Sequence, residues 1–463
     1  MRKSHPIALL VLLSLFGCTT LLYAFISSGR FPTTYSLHTI AVAASLLYSS
    51  ALVIYFVISR RFALIDVLII YFIFFSVFFS GLYQIASNFF PWPQVHDADD
   101  AYSVVLVYLI FITVYALTRT MHRTTPLAER DLFSSRTASR YGWLLIVFSF
   151  MCIFAAGPSL VFSARSEAAS LGTSGSEQLI LIGKSLGFTA YVIALLRFKN
   201  RKRRSWGSLW FLVASLALGV VWFNPVTSPR FHFLAFLIAT ATVALSLWNP
   251  GSVAKSIVLS AVALANYVVF GPLKSLGAGL TNFDLSFFQN FESEFASYVY
   301  GVDFDAMQVS LNGIRFMEIN GPIYLRNIID AGLFFVPREL SPGKSLGTGI
   351  IVHERLGYFY TNLSFPLPME LYLGGGMIGV IIGSYLVARI FTYYTSASKI
   401  NSKASVAGIS HIYYALLAGY MPIILRGSLN AVIAQFGFSF LALAGLQLLM
   451  RLESAKVDTK GTT

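Results

Sequence analysis

The sequence predicts an all-α, polytopic membrane helix bundle of about twelve transmembrane helices, with one large extracytoplasmic loop that contains amphipathic helices. Three observations carry this expectation. Hydrophobic residues fill 56% of the 463 positions, charged residues only 11%, and the mean hydropathy is +0.70; a soluble domain runs at about 45–50% apolar and about 25% charged. The apolar residues come in continuous runs close to the ~20 residues a helix needs to cross a ~30 Å hydrocarbon core. Alternation of the kind that builds a membrane barrel is missing, and unpaired backbone is excluded from lipid, so the runs are read as helices. This composition rules out a disordered chain, a coiled coil and an ordinary soluble enzyme. The net charge of +13 does not point to nucleic acid, because the 33 Lys and Arg residues cluster between apolar runs, where topology signals lie.

Taken in order, the predicted spans are 7–28, 36–59, 62–88, 101–118, 141–163, 178–197, 206–223, 231–248, 256–271, 367–391, 405–424 and 429–450. Arg2 and Lys3 before the first run imitate a secretory signal, and Leu15-Phe16-Gly17-Cys18 imitates a lipoprotein cleavage site. Phe16 is bulky for that site, so the run is read as an uncleaved first span. With both termini cytoplasmic, 22 of the 33 basic residues fall on the inner side, and the short outer loops hold only Arg30, Arg165, Arg230 and Arg426. Cys18 and Cys152 lie in apolar runs and form neither a metal spacing nor a disulfide framework. No metal site and no cofactor motif is predicted.

The chain divides into spans one to nine (1–271), a long outer loop (272–366), and spans ten to twelve with a tail (367–463). The loop carries nine acids: Asp284, Glu292, Glu294, Asp303, Asp305, Glu318, Asp330, Glu339 and Glu354. Phe288, Phe291 and Phe295 recur at helical spacing beside Glu292 and Glu294, which predicts an amphipathic helix on the membrane surface. Ile323–Val336 is short for a span and reads as a surface or re-entrant helix ending at Pro337. No internal repeat divides the chain into paired halves, which counts against a transporter.

Six cations are candidates for binding an anionic ligand. Arg230 follows Asn224-Pro225-Val226-Thr227-Ser228-Pro229, where two prolines fix a turn at the membrane surface. Arg338 and Lys344 lie in a Pro-rich loop segment, Arg355 closes His353-Glu354-Arg355, and Arg426 sits in a turn of a few residues between the last two spans. Lys184 lies about 10 Å inside the sixth span, where it should face a cavity or an acid. Plain structural roles compete with this reading: a headgroup contact for Arg230 and Arg426, and a solvated turn with a local Arg338–Glu339 pair for the Pro-rich segment. For proton transfer the candidates are His353, Glu354 and Glu370. Asp66 and Arg389 are read as snorkelling from inner ends, Asp97, Asp99 and Asp100 as a solvated acidic turn, and Gly375, Gly379 and Gly383 as a helix-packing face.

NPVTSPRF (224–231), VPRELSPGKS (336–345), FPLPMELYLGGGMIGVIIG (365–383) and LRGSL (425–429), set in this layout, resemble the O-antigen polymerases, the Wzy-type oligosaccharide repeat-unit polymerases of bacterial inner membranes. Where members of that family often carry Asn-Phe-Gly before the glycine-rich span, this chain has Leu373-Gly374-Gly375. The resemblance implies a substrate of oligosaccharide repeat units on undecaprenyl pyrophosphate at the periplasmic face. It implies transfer of the growing glycan to a new lipid-linked unit without nucleotide sugar or obligatory metal, and a chain-length regulator and a flippase as pathway partners. Arg230, Arg338, Lys344 and Arg426 would then meet the departing pyrophosphate. The alternatives are an O-antigen ligase, another lipid-donor glycosyltransferase, or, in a different class, a polysaccharide flippase.

Overall fold

The computed structural model describes residues 37–59, 61–92, 99–122, 136–163, 174–199, 205–248, 251–270, 301–336, 340–341, 343–344, 347–358, 364–403 and 408–460. Among them the regular structure is all helical. In chain order the α-helices of seven residues or more are α1 (Leu37–Ile58), α2 (Leu64–Phe72), α3 (Ser80–Ser87), α4 (Asp100–Met121), α5 (Arg136–Ala156), α6 (Ser174–Lys199), α7 (Trp206–Trp222), α8 (Arg230–Ala244) and α9 (Ser252–Phe270). They continue with α10 (Ala306–Asn320), α11 (Arg326–Gly332), α12 (Thr348–Arg355), α13 (Leu367–Lys403), α14 (Ile409–Arg426) and α15 (Leu429–Lys460). A π-helical stretch, Ile73–Phe79, joins α2 to α3 without interrupting the helix.

Among the described residues, seven helices are long and apolar enough to cross a membrane: His38–Ile58, Leu64–Ser87, Asp100–Met121, Thr137–Ala156, Gly175–Lys199, Leu367–Ser398 and Leu429–Glu453. Trp206–Trp222, Arg230–Ala244 and Ser252–Val262 are apolar but shorter. The protein is thus a multi-pass membrane helix bundle. The predicted span 7–28 and the predicted surface helix around Phe288–Phe295 lie outside the described residues.

The bundle is built around α14. From Ile409 to Leu425 it is buried at every described position except Pro422, and it packs against α2, α6, α8, α13 and α15. Its side chains include His411, Tyr413, Tyr414 and Tyr420, which suit a protein interior better than lipid. The outer faces are apolar instead, as in Leu144, Phe148, Met151 and Phe154 of α5 and Ile378, Ile382 and Leu386 of α13. An apolar exterior over a mixed interior is what a hydrocarbon surround favours.

Two findings depart from the expectations above, and a third adds a helix they do not include. Asp66 does not snorkel. It is fully buried, and Arg119 Nε and Nη2 donate to its two carboxylate oxygens at 2.6 Å each. Tyr115 (2.5 Å) and the Ala63 N–H (2.7 Å) add donors, and Arg119 also donates to Thr392 Oγ1 at 2.6 Å. Second, the glycines of α13 do not form one packing face. Gly375 and Gly376 leave helical geometry, Gly376 with φ 61°, and the chain doubles back there. Gly379 and Gly383 then lie against Leu371 of the segment before the reversal. A Cβ on Gly379 would stand 2.4 Å from the Leu371 carbonyl oxygen, so only glycine permits the approach. Third, the long loop contributes α10, a helix not among those expected, to the bundle interior. Ala306–Ile314 is buried throughout, and its polar side chains stitch it into the bundle: Tyr108 of α4 meets Ser310 at 2.9 Å, and Asn312 meets His353 at 3.0 Å.

Candidate functional site

At the end of the bundle where α8 and α10 begin and α14 ends, a cavity of about 330 Å³ opens. Its wall contains Arg230, Arg426, Asp303, Asp305, Trp92, Ser364, His232 and Gln435. The sequence places the two arginines there by local means. Asn224 Oδ1 accepts from the Val226 N–H at 2.9 Å, the Asn224 carbonyl accepts from the Ser228 N–H at 2.8 Å, and Ser228 Oγ donates to the Trp222 carbonyl at 2.7 Å. The expected turn is therefore formed. Pro229 caps α8, and Arg230 becomes its first residue. Arg426 is the last residue of α14, where a cation faces the negative end of the helix dipole, and Gly427-Ser428 turns the chain into α15.

The arginines share one carboxylate. Arg230 Nη2 lies 3.0 and 3.3 Å from the two oxygens of Asp303, and Arg426 Nη1 lies 3.5 Å from Asp303 Oδ1. Arg426 also donates to the Val302 carbonyl (2.9 Å), to Ser364 Oγ (3.2 Å) and to Asp305 Oδ1 (3.4 Å), and its guanidinium stands 4.4 Å over the Phe231 ring. The side chains of Arg230, Arg426 and Asp303 keep 16%, 13% and 12% of their surface exposed. Asp305 lies deeper. Burial pushes its carboxyl above the ordinary range, against the pull of Arg426 and the indole N–H of Trp92, which donates to it at 3.2 Å. Two cations and two acids thus line a half-closed polar hollow. Exchange of the shared carboxylate for a phosphate would leave both guanidiniums paired.

The other predicted cations are placed elsewhere. Lys184 is buried one layer away and donates to Ser228 Oγ at 3.1 Å, beneath the turn that presents Arg230. Lys344 donates to the carbonyls of Leu333 (2.7 Å) and Val336 (3.2 Å), closing the chain after α11. That chain leaves helical form at Leu333, before the predicted end at Pro337. Arg355 borders a separate hollow of about 240 Å³ with Arg326, Asn320 and Asn327. Arg338 lies outside the described residues.

The three predicted proton acceptors do not line the cavity. His353 is buried. Its Nδ1 donates to the Gly349 carbonyl at 2.5 Å, so Nε2 is the acceptor for the Asn312 amide at 3.0 Å and its lone pair is already used. Burial lowers its pKa below the ordinary 6.5. Glu354 is exposed. Glu370 is fully buried, accepting from the Leu429 N–H (2.7 Å), Thr348 Oγ1 (2.6 Å) and Asn327 Nδ2 (2.5 Å). It ties α11, α12 and α15 together beside the Arg426 turn. The carboxylates at the cavity are Asp303 and Asp305. In the sequence they are two of the nine acids of the long loop, and no local pattern distinguishes them from the other seven. Among the described residues no group of His, Cys, Asp and Glu has the arrangement of a metal site. Comparison of the chain with known protein families, with curated proteins and with solved structures finds no match.

Proposed function

We propose that the protein is a bacterial inner-membrane glycosyltransferase of about twelve spans with cytoplasmic termini. On this reading it polymerises undecaprenyl-pyrophosphate-linked oligosaccharide units into a surface polysaccharide at the periplasmic face. The observation that carries the reading is the pairing of Arg230 and Arg426 across one acid in a single hollow at a bundle end. The predicted topology puts that end outside the cytoplasm. Both arginines belong to segments that carry the sequence resemblance.

In this reaction an acceptor sugar hydroxyl oxygen forms a bond to the donor's anomeric carbon. The bond from that carbon to the pyrophosphate oxygen breaks, and its electron pair leaves with the pyrophosphate. Arg230 and Arg426 hold the charge that grows on the leaving group. A preorganised donor of this type is worth about 10²–10³ in rate. The diphosphate takes the place of Asp303 between the guanidiniums, and the displaced carboxylate receives the hydroxyl proton. Phe231, stacked on Arg426, limits water around the charge.

The test is complementation. In a polymerase-null host supplied with the matching repeat unit, the wild-type chain restores a ladder of polysaccharide lengths. Arg230→Ala and Arg426→Ala each abolish it at unchanged protein level. Full ladders from both variants would sink the proposal. Addition of a single finished glycan to a lipid core would instead identify a ligase.

A further inference from the structure

One aromatic residue of the cavity is held far more firmly than packing requires. The helix α3 ends at Asn88, which takes the left-handed conformation (φ 49°), and the chain then runs as Phe89-Phe90-Pro91-Trp92 into the cavity wall. Gln308 of α10, fully buried, clamps Trp92 at both backbone groups: its Oε1 accepts from the Trp92 N–H at 2.8 Å, and its Nε2 donates to the Trp92 carbonyl at 2.8 Å. The indole N–H donates to Asp305 at 3.2 Å, which fixes the side chain as well. Backbone position and ring are thus held by separate buried polar groups, Gln308 and Asp305. Burying such groups is costly unless each is satisfied.

We infer that Trp92 is the platform for the sugar ring joined directly to the diphosphate, and so a specificity-determining residue of the site; the inference rests on the function proposed above. A pyranose presents a C–H face that packs on an aromatic ring and a rim of hydroxyls that seeks carboxylates, hydroxyls and amides. The wall beside Trp92 supplies Asp303, Asp305, Ser364 and Gln435. The volume, about 330 Å³, stands at the low end of the about 300–1,000 Å³ of small-molecule sites and suits one glycosyl unit. Because the two guanidiniums line the same hollow, the ring at Trp92 is the one nearest the phosphates, and the distal sugars of the repeat unit lie beyond it.

The experiment uses the full chain in lipid nanodiscs and compares two affinities. One is for farnesyl diphosphate. The other is for farnesyl diphosphate bearing glucose, galactose or N-acetylglucosamine. We expect at least one sugar-bearing probe to bind about tenfold more tightly than farnesyl diphosphate. That ratio falls to about one in Trp92→Leu, which keeps apolar volume without a ring, and survives in Trp92→Phe. No tighter sugar-bearing probe, or an unchanged ratio in Trp92→Leu, overturns the assignment of Trp92 and leaves the diphosphate site standing. Farnesyl diphosphate that does not bind, or that binds equally to Arg230→Ala and Arg426→Ala chains, removes the proposed function and this inference with it.

Discussion

Two acid–arginine clusters lie near opposite ends of the bundle, and they are built differently. At one end Asp66 and Arg119 meet in a two-pronged pair at 2.6 Å, with side chains 0% and 5% exposed, and Tyr115, Thr392 and the Ala63 N–H complete the shell. At the other end Arg230 and Arg426 divide one carboxylate at 3.0–3.5 Å on the wall of a cavity. In the first cluster both charged side chains are buried and each of their polar atoms has a partner. In the second, geometry is looser, water has access and the acid is shared. A closed pair serves to fix α2 against α4 and α13. An open pair can exchange its anion, which a binding site needs.

Three measurements sharpen or break that contrast. The largest effect is expected at the closed pair. Arg119→Met leaves the Asp66 carboxylate buried without its partner and should cost about 3–5 kcal/mol in unfolding of the detergent-solubilised protein. Asp66→Leu combined with Arg119→Met should recover most of it. A single variant as stable as the wild type would show that the pair is not structural. Next comes Asp303→Asn, for which the two readouts should move in opposite directions. Inorganic pyrophosphate binds more tightly, by about fivefold, because the competing negative charge between the arginines is gone. On the proposed function, turnover falls by about 10²-fold or more because the proposed proton acceptor is gone. Weaker pyrophosphate binding would mean that Asp303 holds the arginines in place and is not displaced.

The smallest effect belongs to His353, which stands apart from both clusters. Its folded-state pKa lies below the ordinary 6.5 because the ring is buried. The unfolded chain therefore takes up the proton first as pH falls. The stabilisation is fully present above about pH 6.5 and is lost as the pH drops through the lowered value. His353→Gln should flatten the stability profile over that window, measured as midpoint temperature against pH. An unchanged slope would assign the acid sensitivity to other groups.

Much of this was legible in the chain. The apolar runs located the helices, because a stretch that must satisfy its own backbone in lipid has few alternatives. The two prolines around Thr227 predicted the turn that presents Arg230. The brevity of the Arg426 turn predicted a cation at a bundle end. Asp66 was misread for a simple reason: its partner Arg119 is 53 positions away, and nothing local distinguishes a snorkelling acid from a paired one. Gly379 and Gly383 had the spacing of a helix–helix seam, and only the reversal at Gly376 shows that the surface they receive is Leu371 of their own chain. His353 was a reasonable base by residue type, and Asn312 removes its lone pair.

The sequence by itself determined the class of molecule and the whereabouts of its long apolar helices, since hydropathy over some twenty residues is a local property and the bilayer imposes it. Only the tertiary structure decided which charges meet. Arg230, Trp92, Asp303 and Arg426 come from four separate segments, and the distance between any two depends on how α3, α8, α10 and α14 pack. Ion pairing and cavity shape fall off within a few ångströms, and no pattern along the chain encodes distances of that kind.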